Sequence, residues 1–408
     1  MNPSQSKTSR YAVAGLCGLA LLLVIGWLAL RESPPPSPDL PPVKAIAVSP
    51  RIPLPAPDNV ASQETSTNLV AEPAVIPTNA ATVYRQAFAI FDALSKEQQY
   101  MVTDWRTNLD PSVAAELCEK IQPICDLVHQ AAAATNCDWG LGPIKYTSLL
   151  PHLNPCRYLA RTVVWSAAHC RTNDPSAAVD DLVSASRLGQ NAALTPVVVG
   201  HLVNLSIQQT VIDFATMQAS TLAGDSRLVQ LLNGFNYYEE LRRAIEQDAD
   251  MSDRTADAIA TISPEEIKQM VDAFQSSGVP LPPMEPTQMS AYIRQKADLQ
   301  RQYAQTLELP EAEYRAWLTS QEAIRKTNPF AEQFLSIIET VLTRTQAMTV
   351  YSAMAVAGLA VTQDGTEALQ SHPDPTTGQP FAYKQTPDGF ELEYSFQFIG
   401  KSLKLSFK

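Results

Sequence analysis

The sequence predicts a mainly α fold: a single transmembrane helix, a Pro-rich linker, a body of helical hairpins and a small C-terminal antiparallel β-sheet. Three observations carry that prediction. Tyr11 to Leu30 is an unbroken apolar run, pairs of a capping residue and a proline recur through the middle of the chain, and after His372 the apolar residues switch to a period of two.

The apolar run is flanked by Lys7 and Arg10 on one side and by Arg31 on the other. About twenty residues at ~1.5 Å each cover a hydrocarbon core of ~30 Å, and a helix satisfies its own backbone there. A cleaved signal peptide has a shorter apolar core and a small-x-small site, whereas this run ends in Leu28, Ala29, Leu30 and Arg31. Cys17 follows Leu16, where a lipidation signal needs a small residue, so it reads as a packing residue of the span. Lys7 and Arg10 outnumber Arg31, which is offset by Glu32; residues 1–10 therefore stay in the cytoplasm and the body lies outside. Residues 31–78, with Pro34-Pro35-Pro36, Pro38, Pro41-Pro42, Pro50, Pro53, Pro55 and Pro57, cannot build a core. They read as a disordered, partly polyproline spacer that reaches on the order of 140 Å at ~3.1 Å per residue.

The body, 79–362, is expected to be helical throughout. A capping residue followed by Pro marks a helix start, because Pro at the first helical position forfeits no hydrogen bond. Such pairs are Asp110-Pro111, Asn154-Pro155, Asp174-Pro175, Thr195-Pro196, Ser263-Pro264 and Asn328-Pro329. Ser95 with Gln98, and Ser263 with Glu266, have capping-box spacing. Apolar stripes at helical spacing support the starts: Val83, Ala87, Ile90 and Leu94 in one segment, and Leu159, Val163, Ala167 and Cys170 in another. A polar stretch from Asn236 to Thr327 follows, interrupted around Gly278 to Pro283, and a long helix from Pro329 to about Thr362 closes the helical part. The tail, 363–408, turns at Thr386-Pro387-Asp388-Gly389 and alternates Phe390, Leu392, Tyr394, Phe396 and Phe398 with polar residues, then Leu403, Leu405 and Phe407. Three strands with one apolar face are expected to cover the long helix.

A net charge of −12 argues against nucleic acid as a partner and against a polybasic membrane contact. Five cysteines lie outside the span, an odd number. Cys118 and Cys125, two turns apart on one helix, are about 10 Å from each other and too distant to bridge, which leaves room for one disulfide involving Cys137.

The segment Asn136-Cys137-Asp138-Trp139-Gly140-Leu141, followed by Leu149-Leu150-Pro151-His152-Leu153 and Arg157-Tyr158-Leu159-Ala160-Arg161, resembles a run in uncharacterised bacterial single-pass envelope proteins. Tyr84-Arg85-Gln86-Ala87 is similar to their first helix. The resemblance spans roughly Ala80 to Met217 and implies placement in a bacterial cell membrane with a periplasmic or extracytoplasmic body. It implies architecture and no catalytic residues. Asp174 to Leu182 resembles the second helix of a tetratricopeptide-type hairpin, without a second copy at a ~34-residue period. Asp374 to Tyr383 with Asp388-Gly389-Phe390 resembles the C-terminal hairpin of type II secretion pseudopilins, although the pseudopilin pattern at the N-terminus is missing.

Val163-Val164-Trp165-Ser166-Ala167-Ala168-His169-Cys170 is similar to the histidine segment of chymotrypsin-type proteases, and Gly224-Asp225-Ser226 follows downstream. The likeness fails on chemistry: the serine needs glycines that leave backbone N–H groups free for an oxyanion, and here Arg227 and Leu228 follow. His169 reads instead as a residue at a helix end, facing the C-terminal dipole. His152, Cys156, His169 and Cys170 include zinc-ligand residue types, but positions 156 and 170 on one straight helix stand about 20 Å apart. Glu239-Glu240 with Asp248, Asp250, Asp253 and Asp257 reads as a solvated helix face paired with Arg242, Arg243 and Arg254. Asp374 and Asp388 are expected to form turns rather than hold calcium.

The sequence thus yields no catalytic residue, cofactor or metal ligand. Asp138, Trp139, His152 and His169 remain as pocket candidates, since a buried Trp beside a carboxylate suits a small ligand; the plainer reading has Trp139 plugging a helical corner and Asp138 capping. The expected function is a membrane-anchored extracytoplasmic protein with an interaction or scaffold role toward an envelope protein partner. The alternatives are a ligand-binding or hydrolytic site near Trp139, His152 and His169, and a secretion or pilus-like assembly component.

Overall fold

The computed structural model describes residues 78–141, 150–276, 281–398 and 401–408. The span at Tyr11 to Leu30 and the linker after it lie outside the described residues. No described helix is long and apolar enough to cross a membrane.

The described chain is mainly helical, with one three-stranded antiparallel sheet at its C-terminus. Helices α1 (Ala80–Ala93), α2 (Lys96–Met101), α3 (Pro111–Ala132), α4 (Leu153–His169), α5 (Pro175–Ala193) and α6 (Val198–Met217) come first. Two short helices, α7 (Ala219–Leu222) and α8 (Ser226–Asn233), lead to α9 (Tyr237–Ile259), α10 (Pro264–Ser276) and α11 (Pro286–Thr306). Then come α12 (Glu311–Ser320), α13 (Glu322–Thr327) and the long α14 (Pro329–Asp364).

Side-chain capping fixes many of these starts. Asp110 accepts from the N–H of Ser112, Asp174 from that of Ala177, and Asn328 from those of Phe330 and Ala331; each relieves orphan donors of a first turn that opens with Pro. Both capping boxes form. Two of the expected starts are displaced. Helix α4 begins at Leu153 with His152 as its cap, so Pro155 sits inside the first turn, where its missing N–H costs nothing. Helix α6 begins at Val198, after Thr195-Pro196.

Among the described residues the apolar side chains gather around one large core and two smaller ones, with a minor contact of Val197 and Met251 beside them. The large core draws on α1, on α3 to α8, on the second half of α14 and on the sheet, with Trp165, Tyr84 and Ile121 among its fully buried members. A second joins the start of α9 to α11, α12 and the first half of α14; a third joins the end of α9 to α10 and the start of α11. Helix α14 runs through both of the first two, contributing Val341 and Leu342 to one and Met348 and Val350 to the other.

In the sheet, β1 (Ala382–Thr386), β2 (Gly389–Phe398) and β3 (Lys401–Phe407) are ordered β1-β2-β3. The pairs Phe390/Phe407, Leu392/Leu405 and Tyr394/Leu403 place one apolar set on one face. That face covers α14, as the period-two pattern required. The Phe407 ring occupies the space above Gly358, where a Cβ would stand 1.9 Å from the ring's Cζ.

The acidic residues of α9 find partners other than those expected. Asp250 and Asp253 pair with Arg301, Asp257 with Arg294 and Asp248 with Lys296, all from the neighbouring α11. Arg242 does pair with Glu239, and with Glu308. Helix–helix packing thus brings opposite charges together where i,i+4 spacing on one helix does not.

Cysteine pairing also corrects the sequence reading. Cys118 of α3 bonds to Cys170 at the end of α4, with Cα atoms 5.6 Å apart, while Cys137 is a buried free thiol, as are Cys125 and Cys156. Burial pushes the Cys137 thiol up to about 12, and the other two thiols up as well, which keeps them protonated and unreactive.

Candidate functional site

Of the four pocket candidates, the structure brings three to one corner. Trp139 is 3 % exposed and stands between parallel rings: His152 with centroids 4.4 Å away, Tyr84 at 5.9 Å and Phe88 at 6.2 Å. Its indole N–H donates to the backbone carbonyl of Asn191 at 2.8 Å, and Arg85 donates to its backbone carbonyl. The side chain of Asn191 in turn donates to the Tyr84 hydroxyl at 3.0 Å. His152 hydrogen-bonds through Nε2 to the Thr195 hydroxyl, 2.7 Å away. Burial, reinforced by Arg85, lowers the His152 pKa to about 4, so the ring is neutral near pH 7.

Asp138 is exposed, and its carboxylate accepts from the N–H of Gly140 at 2.8 Å, closing a turn in which Gly140 adopts φ 65°. Asn79, the cap of α1, bridges to the Asp138 backbone through both N–H and C=O. Aromatic faces and backbone partners are therefore occupied by the chain's own groups, and Trp139 is the plug that joins α1, α4 and α5.

His169 is elsewhere. It ends α4 while His152 caps its start, which separates them by about 25 Å of helix. The His169 ring stacks on Trp165 with centroids 4.5 Å apart and donates to the backbone carbonyl of Trp105 at 3.1 Å. Burial lowers its pKa. The same strap is held by Arg106, which lies over the Trp105 ring and pairs with Asp213 at 2.9 Å. The convergence of Trp139, His152 and His169 on one cleft does not occur.

Two polar clusters escaped the sequence reading. In the first, His201 of α6 places Nδ1 2.6 Å from the Glu240 carboxylate of α9 and Nε2 2.9 Å from the Thr345 hydroxyl of α14. Asn204 donates to the other Glu240 oxygen at 2.8 Å, Gln208 to Asn204 at 2.8 Å, and Ser186 to Gln208 at 2.9 Å. Hydroxyl, imidazole and carboxylate stand in the order of an acyl-transfer triad. The chemistry is nevertheless closed off: Thr345 and His201 have no solvent exposure, and the Thr345 hydroxyl donates to the carbonyl of Val341 one turn back. Mid-helix backbone N–H groups are already spent on the helix, so nothing is free to hold an oxyanion. The arrangement is a polar seam pinning four helices together: α5, α6, α9 and α14. Its sequence signal is the stripe His201, Asn204 and Gln208 at helical spacing in the otherwise apolar α6.

In the second cluster, the fully buried Asp181 of α5 lies 2.7 Å from His129 of α3 and 3.6 Å from Arg171, without the alignment of good hydrogen bonds. Arg171 adjoins Cys170, so this ion cluster and the disulfide brace the same contact of α3 with the end of α4. In the tail, Asp374 accepts from the N–H and hydroxyl of Thr376 at 2.8 Å and from the hydroxyl of Thr377 at 2.6 Å, and is a turn residue. Among the described residues, no group of three or more His, Cys, Asp or Glu side chains is placed to hold a metal ion.

Compared with protein-family models, with curated proteins and with solved structures, the chain matches none.

Proposed function

We propose that the chain is a single-pass envelope protein whose helical body, held outside the cytoplasm, serves as an interaction or scaffold module for a protein partner. The observation that carries this reading is the Cys118–Cys170 disulfide. Disulfides persist in oxidising compartments and are reduced in the cytoplasm. A bridge that locks α3 to the end of α4 therefore agrees with the placement that the charges around the apolar run imply, and with the bacterial envelope proteins that the Cys-Asp-Trp-Gly segment resembles.

The site geometry supports a role without catalysis. His152, His169 and His201, together with Asp181, Glu240 and Thr345, are each turned toward partners inside the fold. No observation favours the ligand-binding or hydrolytic alternative, because its three named residues lie at opposite ends of α4.

Crosslinking mass spectrometry on native membranes, with the chain tagged at its C-terminus, tests the proposal. A reproducible protein neighbour crosslinked to the body is the expected result. Capture of the chain alone, under conditions that crosslink known envelope neighbours, would overturn it.

A further inference from the structure

Arg344 is the only charged residue of α14 between Glu339 and Asp364. Its place is unusual for a cation. One turn before it, Val341 belongs to the second core; one turn after it, Met348 belongs to the first. Its Nε is shielded from solvent and meets no acceptor, and no described carboxylate lies within ion-pair distance of the guanidinium. Its two neighbours on α14 have partners within the fold: Thr345, the next residue, closes the His201–Glu240 relay, and Gln346 hydrogen-bonds to Tyr238.

A half-buried guanidinium without a counter-charge is costly, and folded chains offset that cost with a carboxylate or do without the charge. The local chemistry shows how costly it is here, since desolvation alone lowers the Arg344 pKa and no charge opposes it. The planar fork of an arginine fits the two oxygens of a carboxylate. With no second cation within a turn on α14, one positive charge matches a monoanionic group better than a doubly charged phosphate.

We propose that Arg344 is an anion-binding site at the seam between the two cores, and that it takes the carboxylate of a small organic acid. At this guanidinium a carboxylate gains a partner without displacing one of the protein's own. The site is distinct from the interaction role proposed above and does not depend on it.

The test is thermal unfolding of the purified full chain at about pH 7.5 titrated with acetate, a monoanionic carboxylate, at ionic strength held constant with sodium chloride, and in parallel with inorganic phosphate. Acetate is expected to raise the wild-type midpoint by about 2 °C or more, saturably, and phosphate to act more weakly. Arg344→Gln should abolish the acetate effect while Arg344→Lys retains part of it. Without ligand, Arg344→Met, which keeps the apolar stem and removes the charge, should unfold at or above the wild-type midpoint. Three results would overturn the proposal: no acetate effect beyond chloride, an acetate effect that survives in Arg344→Gln, or phosphate acting more strongly than acetate. A marked loss of stability in ligand-free Arg344→Met would overturn it too, by showing that the charge already has a partner within the fold.

Discussion

Gly358→Ala reverses its usual sign in this fold. In an exposed helix interior the change stabilises by about 1 kcal/mol, because Ala loses less backbone entropy than Gly. At Gly358 the new Cβ would stand 1.9 Å from Cζ, 2.1 Å from Cε1 and 2.5 Å from Cε2 of Phe407. The ring cannot swing aside, since it stacks on Phe390 with centroids 4.7 Å apart and is 1 % exposed. Its strand cannot lift freely either, because Lys408 donates to the Thr216 carbonyl and accepts from the N–H of Ser220 at 3.0 Å. Overpacking of this kind costs about 1–3 kcal/mol or more, so the net effect is a loss of about 2 kcal/mol and a midpoint lower by several degrees. Phe407→Ala alone should cost about 3–5 kcal/mol through the cavity it leaves. With the ring gone the Cβ fits, so Gly358→Ala added to Phe407→Ala should restore about 1 kcal/mol. The assay is thermal and denaturant unfolding followed by circular dichroism for all four members of this cycle. A Gly358→Ala protein as stable as the parent, or more so, would refute the docking of the sheet onto α14.

Cys118→Ser opens a loop with a sequence separation of 52 residues, and by loop-closure entropy it should cost about 4 kcal/mol; wild type unfolded in the presence of dithiothreitol should show the same loss, and an unchanged midpoint would contradict the bridge. Glu240→Ala strips partners from both His201 and Asn204 in a dry seam and should cost about 3–5 kcal/mol in denaturant unfolding, a loss below 1 kcal/mol being inconsistent with the relay. His152 has a pKa of about 4 in the folded state and about 6.5 when unfolded, so the unfolded chain binds the proton first as pH falls. Its contribution is complete above pH 6.5 and declines by about 3 kcal/mol down to pH 4; His152→Gln should flatten that part of the stability profile, and parallel profiles for the two proteins would count against the buried neutral ring.

Local chemistry was readable from the sequence; long-range pairing was not. Asp110-Pro111, Asp174-Pro175, Ser263-Pro264 and Asn328-Pro329 all start helices, because capping depends on a few adjacent residues. The Phe390 to Phe407 alternation fixed strand, turn and buried face together, since a period of two leaves only one apolar side. The Trp139 corner was half legible: a Trp beside a turn-forming Asp signals a plug, but nothing in the spacing says that His152 and not His169 stacks on it. Cys118 and Cys170 sit at the meeting of two helices, where distance along one helix carries no information. The same holds for Thr345, which reaches His201 across 144 residues, and for Asp253, which finds Arg301 two helices on, in α11, instead of Arg254 on its own.

Placement of the body outside the cytoplasm is the premise on which the proposed role depends, and it is directly measurable. Single cysteines introduced at exposed Glu313 and, separately, at Ser4, in a chain carrying Cys17→Ser, would be challenged in intact cells with a membrane-impermeant maleimide, with Cys125, Cys137 and Cys156 buried and Cys118 bonded to Cys170. The account predicts labelling at position 313 before lysis and at position 4 only after it. Labelling at position 4 in intact cells, with position 313 protected until lysis, would contradict it.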